Sequence, residues 1–219
     1  MALGKPLISH LLDRLSKSKL LDRIIVATST DPSDDPIANW AYQNNWQCYR
    51  GPLENVAARF LEAVSAYKIE CMVRISGDSP LIDWRIVDRA IEIFERGEFE
   101  IVTNCLNRTF PRGQSVELLL ASTYRTGYER MKSPEDFEHV TRHFYQNAEL
   151  YRIHNFETDG RNYSNVNLCV DTLLDFENFV RILKQMDGLF TDYTWQQIVE
   201  IYERVASRPV HSIRPQHRN

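Results

Sequence analysis

The sequence predicts an α/β fold in which one mainly parallel sheet carries helices on both faces, and three observations predict it. Short apolar runs at 23–28, 46–49, 71–75 and 101–104 alternate with stretches whose apolar residues recur three and four apart. The run at 71–75 stops abruptly at Gly77-Asp78, a turn that sets a carboxylate at the C-terminal mouth of a strand. In open α/β sheets ligands bind in the crevice beyond those mouths. With 219 residues, 43% of them hydrophobic, the chain can build one sizeable core. A single domain over 1–207 is expected, followed by a tail at 208–219 that has no periodicity and is expected to be mobile.

Each element follows from local pattern. Leu7, Ile8, Leu11, Leu12 and Leu15 mark a helix that enters the strand at 23–28 after a charged turn. The acids and proline of 31–35 suit a helix start, and Ile37, Trp40 and Ala41 supply its apolar face before the strand at 46–49. A helix with Val56, Phe60, Ala63 and Val64 leads to the strand at 71–75. Asp83 reads as the N-cap of a helix carrying Ile86, Val87, Ala90, Ile91 and Phe94, which leads to 101–104. The alternation then breaks into an α+β half: a strand at 115–120 after a Pro-Arg-Gly turn, helices at 121–131 and 134–147, short runs at 151–154 and 168–170, and helices at 174–186 and 194–206.

Charge narrows the function. A formal net charge of -4, from 26 basic and 30 acidic residues well mixed, gives no footprint for nucleic acid or an anionic membrane. No apolar run approaches a membrane span and no signal-peptide core is present, so a cytoplasmic protein is expected and the sequons at Asn107 and Asn162 read as chance. Cys48, Cys71, Cys105 and Cys169 lack C-x-x-C spacing and read as buried, reduced thiols.

Several residues are candidates for chemistry. Asp78 lies where a divalent cation and its phosphates would be expected, against the alternative of an ordinary turn aspartate. Asp171 also follows a short apolar run and precedes a helix, so its strand end can meet Asp78; alternatively Asp171 or Thr172 is a helix cap. Arg50 follows the strand at 46–49 and is expected to project into the same crevice, or else to be a surface arginine capping a loop. Arg108 and Arg112 flank Thr109-Phe110-Pro111 and could clamp a carboxylate with planar forks of donors, or be solvated loop charges. His139 and His143, four apart on the helix expected at 134–147, lack the glutamate of H-E-x-x-H and an evident third ligand, which argues against zinc. No G-x-S-x-G, Walker loop or G-x-G-x-x-G is present. Phe110, Phe137, Phe144 and Tyr145 supply aromatic area within 107–150, for a homodimer interface or for packing on the protein's own sheet.

The Gly77-Asp78 turn and its context resemble a known family. Gly4-Lys5-Pro6-Leu7, Ile25-Val26-Ala27-Thr28-Ser29, Tyr49-Arg50-Gly51, Phe110-Pro111-Arg112-Gly113, Glu138-His139-Val140-Thr141 and Val170-Asp171-Thr172 occur in the family's order over about residues 3–205. Together they are similar to the cytidylyltransferases that activate acidic sugars, among them the 3-deoxy-manno-octulosonate and acylneuraminate enzymes, and most of all to the spore-coat polysaccharide branch. The resemblance implies a Rossmann-like, three-layer nucleotide-diphospho-sugar transferase fold of GT-A type with a mainly parallel, mixed sheet. It implies that CTP transfers its nucleotide to a small sugar with release of pyrophosphate, and that Asp78 and Asp171 hold Mg2+. Arg50, Gly77 and Asp78 would contact the nucleotide, and Arg108, Arg112, Glu117, Glu138 and His139 the sugar.

Departures from the family pattern are specific. Ser115 and Asn55 stand where an acid is usual, while a second acid is retained as Glu117. Family members open with a strand and a loop of Gly, Arg and Lys that wraps the triphosphate before reaching the segment found here at residues 4–7. The expectation is therefore that such a strand and loop precede Met1 in a longer protein. Two rivals keep the architecture: a catalytically inactive scaffold, which the departures favour, and a glycosyltransferase, which would carry Asp-x-Asp where Asp78 is followed by Ser79 and Pro80.

Overall fold

The computed structural model describes residues 1–206, so the expected tail at 208–219 lies outside the described residues. In chain order the elements are α1 (Leu7–Leu15), β1 (Ile25–Ser29), α2 (Asp35–Gln43), β2 (Gln47–Gly51), α3 (Val56–Ala66), β3 (Cys71–Arg74), α4 (Trp84–Arg96), β4 (Ile101–Thr103) and β5 (Glu117–Leu120). They continue with α5 (Ala121–Tyr128), α6 (Pro134–Glu138), α7 (Arg142–Gln146), β6 (Ile153–Asn155), α8 (Leu173–Lys184) and α9 (Trp195–Ala206).

Period-two alternation builds three layers. Val102 and Leu118 point to one face, where they join Ile82, Val87, Phe179 and Ile198. Their neighbours Ile101 and Leu119 point to the other, with Met72, Ala57, Tyr124 and Phe144. Phe110 and Phe144 are thus 1% and 0% exposed in the protein's own core, while Phe137 and Tyr145 are half-buried, so two of the four aromatics expected at a dimer interface pack internally.

The strands fall into two groups. β1 pairs in parallel with β2, with Ile25 opposite Gln47 and Ser29 opposite Gly51. The second group runs β3-β5-β4-β6, in which β5 is antiparallel to both neighbours and β4 is parallel to β6. β3, β4 and β6 therefore share one direction and only β5 is reversed. Its reversal follows from a short return: Asn104 receives the Val116 N–H at 2.9 Å and donates to the Gln114 carbonyl at 2.7 Å, folding β4 directly back on β5 without a crossover helix. Among the described residues β1 and β3 are each paired on one side only, and residues of both line one cavity.

Four expectations need correction. The helix expected at 134–147 is two short helices, because Val140, fully buried, adopts φ +30, a region β-branched residues avoid. His139 and His143 therefore do not share a helix face. His143 is buried and hydrogen bonds the Tyr151 hydroxyl at 3.1 Å. The run at 168–170 lies outside the named strands. All four cysteines are free, as expected, but half-buried. Among the described residues no helix is long and apolar enough to cross a membrane.

Candidate active site

The site forms where three loops meet: the turn after β3, the 108–115 loop, and the segment leading to α8. The turn after β3 is fixed from below. Asp83 caps α4 by accepting from the Arg85 N–H at 3.0 Å, and its other oxygen accepts from the Trp195 N–H at 2.8 Å. The buried Gln114 accepts the Asp83 N–H and donates to the Leu81 carbonyl, both at 2.8 Å. Arg14, 0% exposed, donates to the carbonyls of Ile82, Phe190 and Tyr193 at 2.5, 2.6 and 2.7 Å. Sequence reasoning found the Asp83 cap but missed Gln114 and Arg14. Their partners are main-chain carbonyls and amides far away in sequence, which leave no local signal.

The 108–115 loop docks on 166–170 through the backbone. The Arg112 N–H donates to the Val166 carbonyl and the Leu168 N–H to the Arg112 carbonyl. Gly113 permits this approach: its φ is +89, and a Cβ there would lie 2.8 Å from the Leu168 carbonyl carbon. The Val170 N–H then donates to the Asp78 carbonyl at 2.8 Å, joining the two candidate metal-binding segments. Cys169 lies between them, and its thiol is pushed up to about 11, first by burial and then by the charges of Asp78 and Asp171.

The cap of α8 is Thr172, not Asp171. Thr172 is the N-cap, in a reciprocal box in which its hydroxyl accepts the Asp175 N–H and the Asp175 carboxylate accepts the Thr172 N–H. Asp171, one residue earlier, is left exposed with one ion pair, Arg112 Nη2 to its Oδ2 at 3.2 Å. Asp78 accepts one hydrogen bond on Oδ1, from the Ser79 hydroxyl at 2.8 Å. Among the described residues, Asp78 Oδ2 and Asp171 Oδ1 have no protein partner, so each offers an oxygen to a hard cation. Those residues hold no cluster of three or more His, Cys, Asp or Glu suited to a metal. Two carboxylates alone would suit an ion that takes its remaining ligands from water and substrate phosphate.

The other candidates are distributed differently. Gly77 is exposed, and a Cβ there would meet nothing within 4 Å, leaving its backbone open to a ligand. Arg50 is held by the loop beyond the C-terminal end of β1, with Nε on the Ser29 carbonyl at 2.8 Å, Nη2 on the Asp31 carbonyl at 3.1 Å, and an ion pair to Asp35 at 2.7 Å. Arg108 Nη1 donates to the Ser115 hydroxyl at 2.9 Å, so the residue that departs from the family pattern holds this arginine. Asn55 caps α3 through the Ala58 N–H at 2.7 Å.

Glu117 is 3% exposed and fully engaged: Arg74 binds one oxygen, while the hydroxyls of Thr141 and Tyr145 donate to the other at 2.6 Å. Glu117 is a buried anchor between β3, β5 and α7, and each of its oxygens already holds a donor from the protein. Burial and the Glu117 charge push the Tyr145 phenol up and keep it a donor. Glu138 and His139 are exposed, and His139 lines a shallow surface depression with Thr141, Arg142, Tyr145 and Gln146.

Comparison with known proteins identifies the family. The cytidylyltransferase family profile matches residues 2–199. The spore coat polysaccharide biosynthesis protein SpsF of Bacillus subtilis is 27% identical over 188 residues, 84% of this chain and 75% of that protein. An 8-amino-3,8-dideoxy-manno-octulosonate cytidylyltransferase of Shewanella frigidimarina is 31% identical over 105 residues, 46% of this chain and 42% of the enzyme. A cytidylyltransferase structure from Leptospira borgpetersenii superposes with a TM-score of 0.87 at 25% identity, covering 95% of this chain and 89% of that one. The three-layer fold, the carboxylates of two loops joined at one end of the sheet and the match over nearly the whole chain place this protein in the cytidylyltransferase family, as a nucleotidyltransferase.

Proposed function

We propose that this protein transfers the cytidylyl group of CTP to a sugar that carries a carboxylate, as a step in the synthesis of a surface polysaccharide or related glycan. A sugar oxygen attacks the α-phosphorus, the bond from that phosphorus to the bridging oxygen breaks, and pyrophosphate leaves. The observation that carries the reading is the Val170–Asp78 backbone bond, which brings Asp78 and Asp171 to one mouth with one unclaimed oxygen each. The names of the relatives support the substrate class: polysaccharide synthesis for one, a sugar-acid cytidylyltransferase for another.

Asp78 and Asp171 are the residues that would hold Mg2+, which when bound neutralises phosphate charge and polarises the phosphorus. Gly77 gives the triphosphate access to the backbone beside Asp78. Arg112 orients Asp171 through their ion pair and, being exposed, keeps donors for the sugar carboxylate. Arg108, half-buried against Ser115, is the second donor on the same loop.

Pyrophosphate release with 3-deoxy-manno-octulosonate, compared across CTP, UTP, ATP and GTP, tests the reading. CTP is expected to exceed the other three by at least tenfold, and Asp78→Asn to lower the rate by about a thousandfold, or about 4 kcal/mol. Turnover with UTP equal to that with CTP, or an Asp78→Asn rate within tenfold of the parent, would overturn it.

A further inference from the structure

We infer that Gln114 is a positioning residue for the transfer step, which holds the acceptor-sugar loop in register with the cation turn; this rests on the cytidylyl-transfer reading above. Three segments meet at the mouth, and each is tied to the other two. The Val170 N–H donates to the Asp78 carbonyl at 2.8 Å, joining segment 166–170 to the turn after β3. The Arg112 N–H donates to the Val166 carbonyl at 3.0 Å and the Leu168 N–H to the Arg112 carbonyl at 2.9 Å, joining the 108–115 loop to the same segment. The third join is made by one side chain: Gln114 Nε2 donates to the Leu81 carbonyl and Gln114 Oε1 accepts the Asp83 N–H, both at 2.8 Å.

The third join sets the angle between the other two. Segment 166–170 lies outside the named strands, so no ladder of theirs stiffens it, and two joins made through it alone would leave a hinge. Gln114 closes the triangle. It is 0% exposed, and its own main chain is pinned as well: its N–H donates to the Pro111 carbonyl at 3.1 Å and its carbonyl accepts from Asn104 Nδ2 at 2.7 Å. Asn104 is itself buried and directly follows β4, which references the amide to the sheet. Leucine or methionine would fill the same space without desolvating an amide. What the amide adds is one donor and one acceptor in a rigid plane, matched to residues 81 and 83. Asparagine is one methylene short of that match, and an ionised glutamate has no proton to give the Leu81 carbonyl.

The residues on either side of Gln114 hold the two sugar donors. Arg112, two residues earlier, pairs with Asp171, and Ser115, next in sequence, accepts from Arg108 Nη1 at 2.9 Å. Across the join, Leu81 lies three residues beyond Asp78. Gln114 therefore sets the acceptor's approach to the α-phosphorus while touching neither substrate. Both half-sites keep their own ligands when its side chain is lost, because their remaining joins are main chain. The result is misalignment and not weaker binding, and about 1 Å of misplacement costs about a hundredfold in rate.

The test compares the full chain with Gln114→Met and Gln114→Glu, using 3-deoxy-manno-octulosonate as the acceptor. In pyrophosphate release Gln114→Met is expected to lower kcat about a hundredfold while KM for CTP and for the acceptor stays within about threefold; Gln114→Glu, which keeps the Asp83 bond alone, is expected to fall between. A second readout needs no turnover. With Mn2+ and α,β-methylene-CTP, which cannot release pyrophosphate, relaxation of the acceptor's protons by the ion depends on the sixth power of their separation. That relaxation is expected to change at least twofold in Gln114→Met, whereas the Mn2+ Kd, read from the free-ion electron paramagnetic resonance signal, stays within threefold. The proposal fails if kcat of Gln114→Met stays within tenfold of the parent, if KM or the Mn2+ Kd carries the loss, or if the relaxation is unchanged. Should Gln114→Met not fold, Gln114→Glu decides, and a kcat within twofold of the parent overturns the proposal. A parent that releases no pyrophosphate sinks the cytidylyl-transfer reading and this proposal with it, whereas an active parent with unaffected variants sinks this proposal alone.

Discussion

Replacing Arg14 with methionine should cost about 3 kcal/mol of stability. The guanidinium is fully buried and meets no carboxylate directly, and it holds three main-chain carbonyls from two distant segments. Removing it strands those acceptors in the interior, at about 1–3 kcal/mol each, hence about 6 kcal/mol at mid-range. An opposing effect returns part of that. Burial lowers the Arg14 pKa from 12.5 to about 10, equivalent to roughly 3 kcal/mol of charge burial that a neutral side chain does not incur. Methionine also keeps most of the packing of the stem, so the unpaired carbonyls dominate. Equilibrium urea unfolding at neutral pH measures the difference. Arg14→Lys, which keeps the charge but cannot fork across three acceptors, should fall between parent and methionine variant. A methionine variant within 1 kcal/mol of the parent would refute the reasoning, because it would mean that the carbonyls find other partners.

Further outcomes follow from the same geometry. Burial first and foremost lowers the pKa of both His10 and His143 below 6.5, so the unfolded chain takes up protons first. Stability should therefore fall as pH drops from about 7 through 6.5 toward the folded-state values, and a His10→Gln/His143→Gln variant should flatten that fall in thermal melts; an unchanged slope would refute it. The carboxylates act in a lower window. Burial opposes ionisation at Asp136, but hydrogen bonds from Ser133 and Lys132 outweigh it and hold the folded pKa below 3.8, so its contribution is present above that value and lost below it. Gly113→Ala should cost about 3 kcal/mol, since it combines a φ of +89 with a contact of 2.8 Å to main chain; a melt unchanged within error would mean the loop shifts freely. Thr172→Ala should lose about 1 kcal/mol of stability with little effect on pyrophosphate release, whereas Asp171→Asn should leave stability within about 0.5 kcal/mol and lower release at least a hundredfold. The reverse pattern would make Asp171 part of the cap.

The first half of the fold was legible because its signal is local. Residues 7–103 alternate between apolar faces of period 3.6 and short β-branched runs, and the Asp83 cap precedes the most strongly periodic helix of the chain. Periodicity cannot register a single strained residue, so the break at Val140 was invisible, and with it the separation of His139 from His143. Nor does it see contacts between side chains and distant backbone. Gln114 and Arg14 read as ordinary polar residues, yet they fix the turn that carries Asp78.

What the sequence could not distinguish among its acids was which had oxygens to spare. Asp83, Asp175 and Glu117 have both oxygens claimed by backbone or side-chain donors: Arg85 and Trp195 at Asp83, Thr172 and Asn167 at Asp175, Arg74, Thr141 and Tyr145 at Glu117. Glu117 was also matched to a family acid, but three donors from the protein already engage both of its oxygens. Asp78 and Asp171 each have one oxygen engaged, and the engaged one is held by a neighbour that also orients the carboxylate. Satisfied carboxylates build the frame, and half-satisfied ones at a common mouth retain the lone pairs that a cation and its phosphates need. The resemblance placed acids at these positions, and the count of donors around each separates the framework acids from the two proposed to meet a cation.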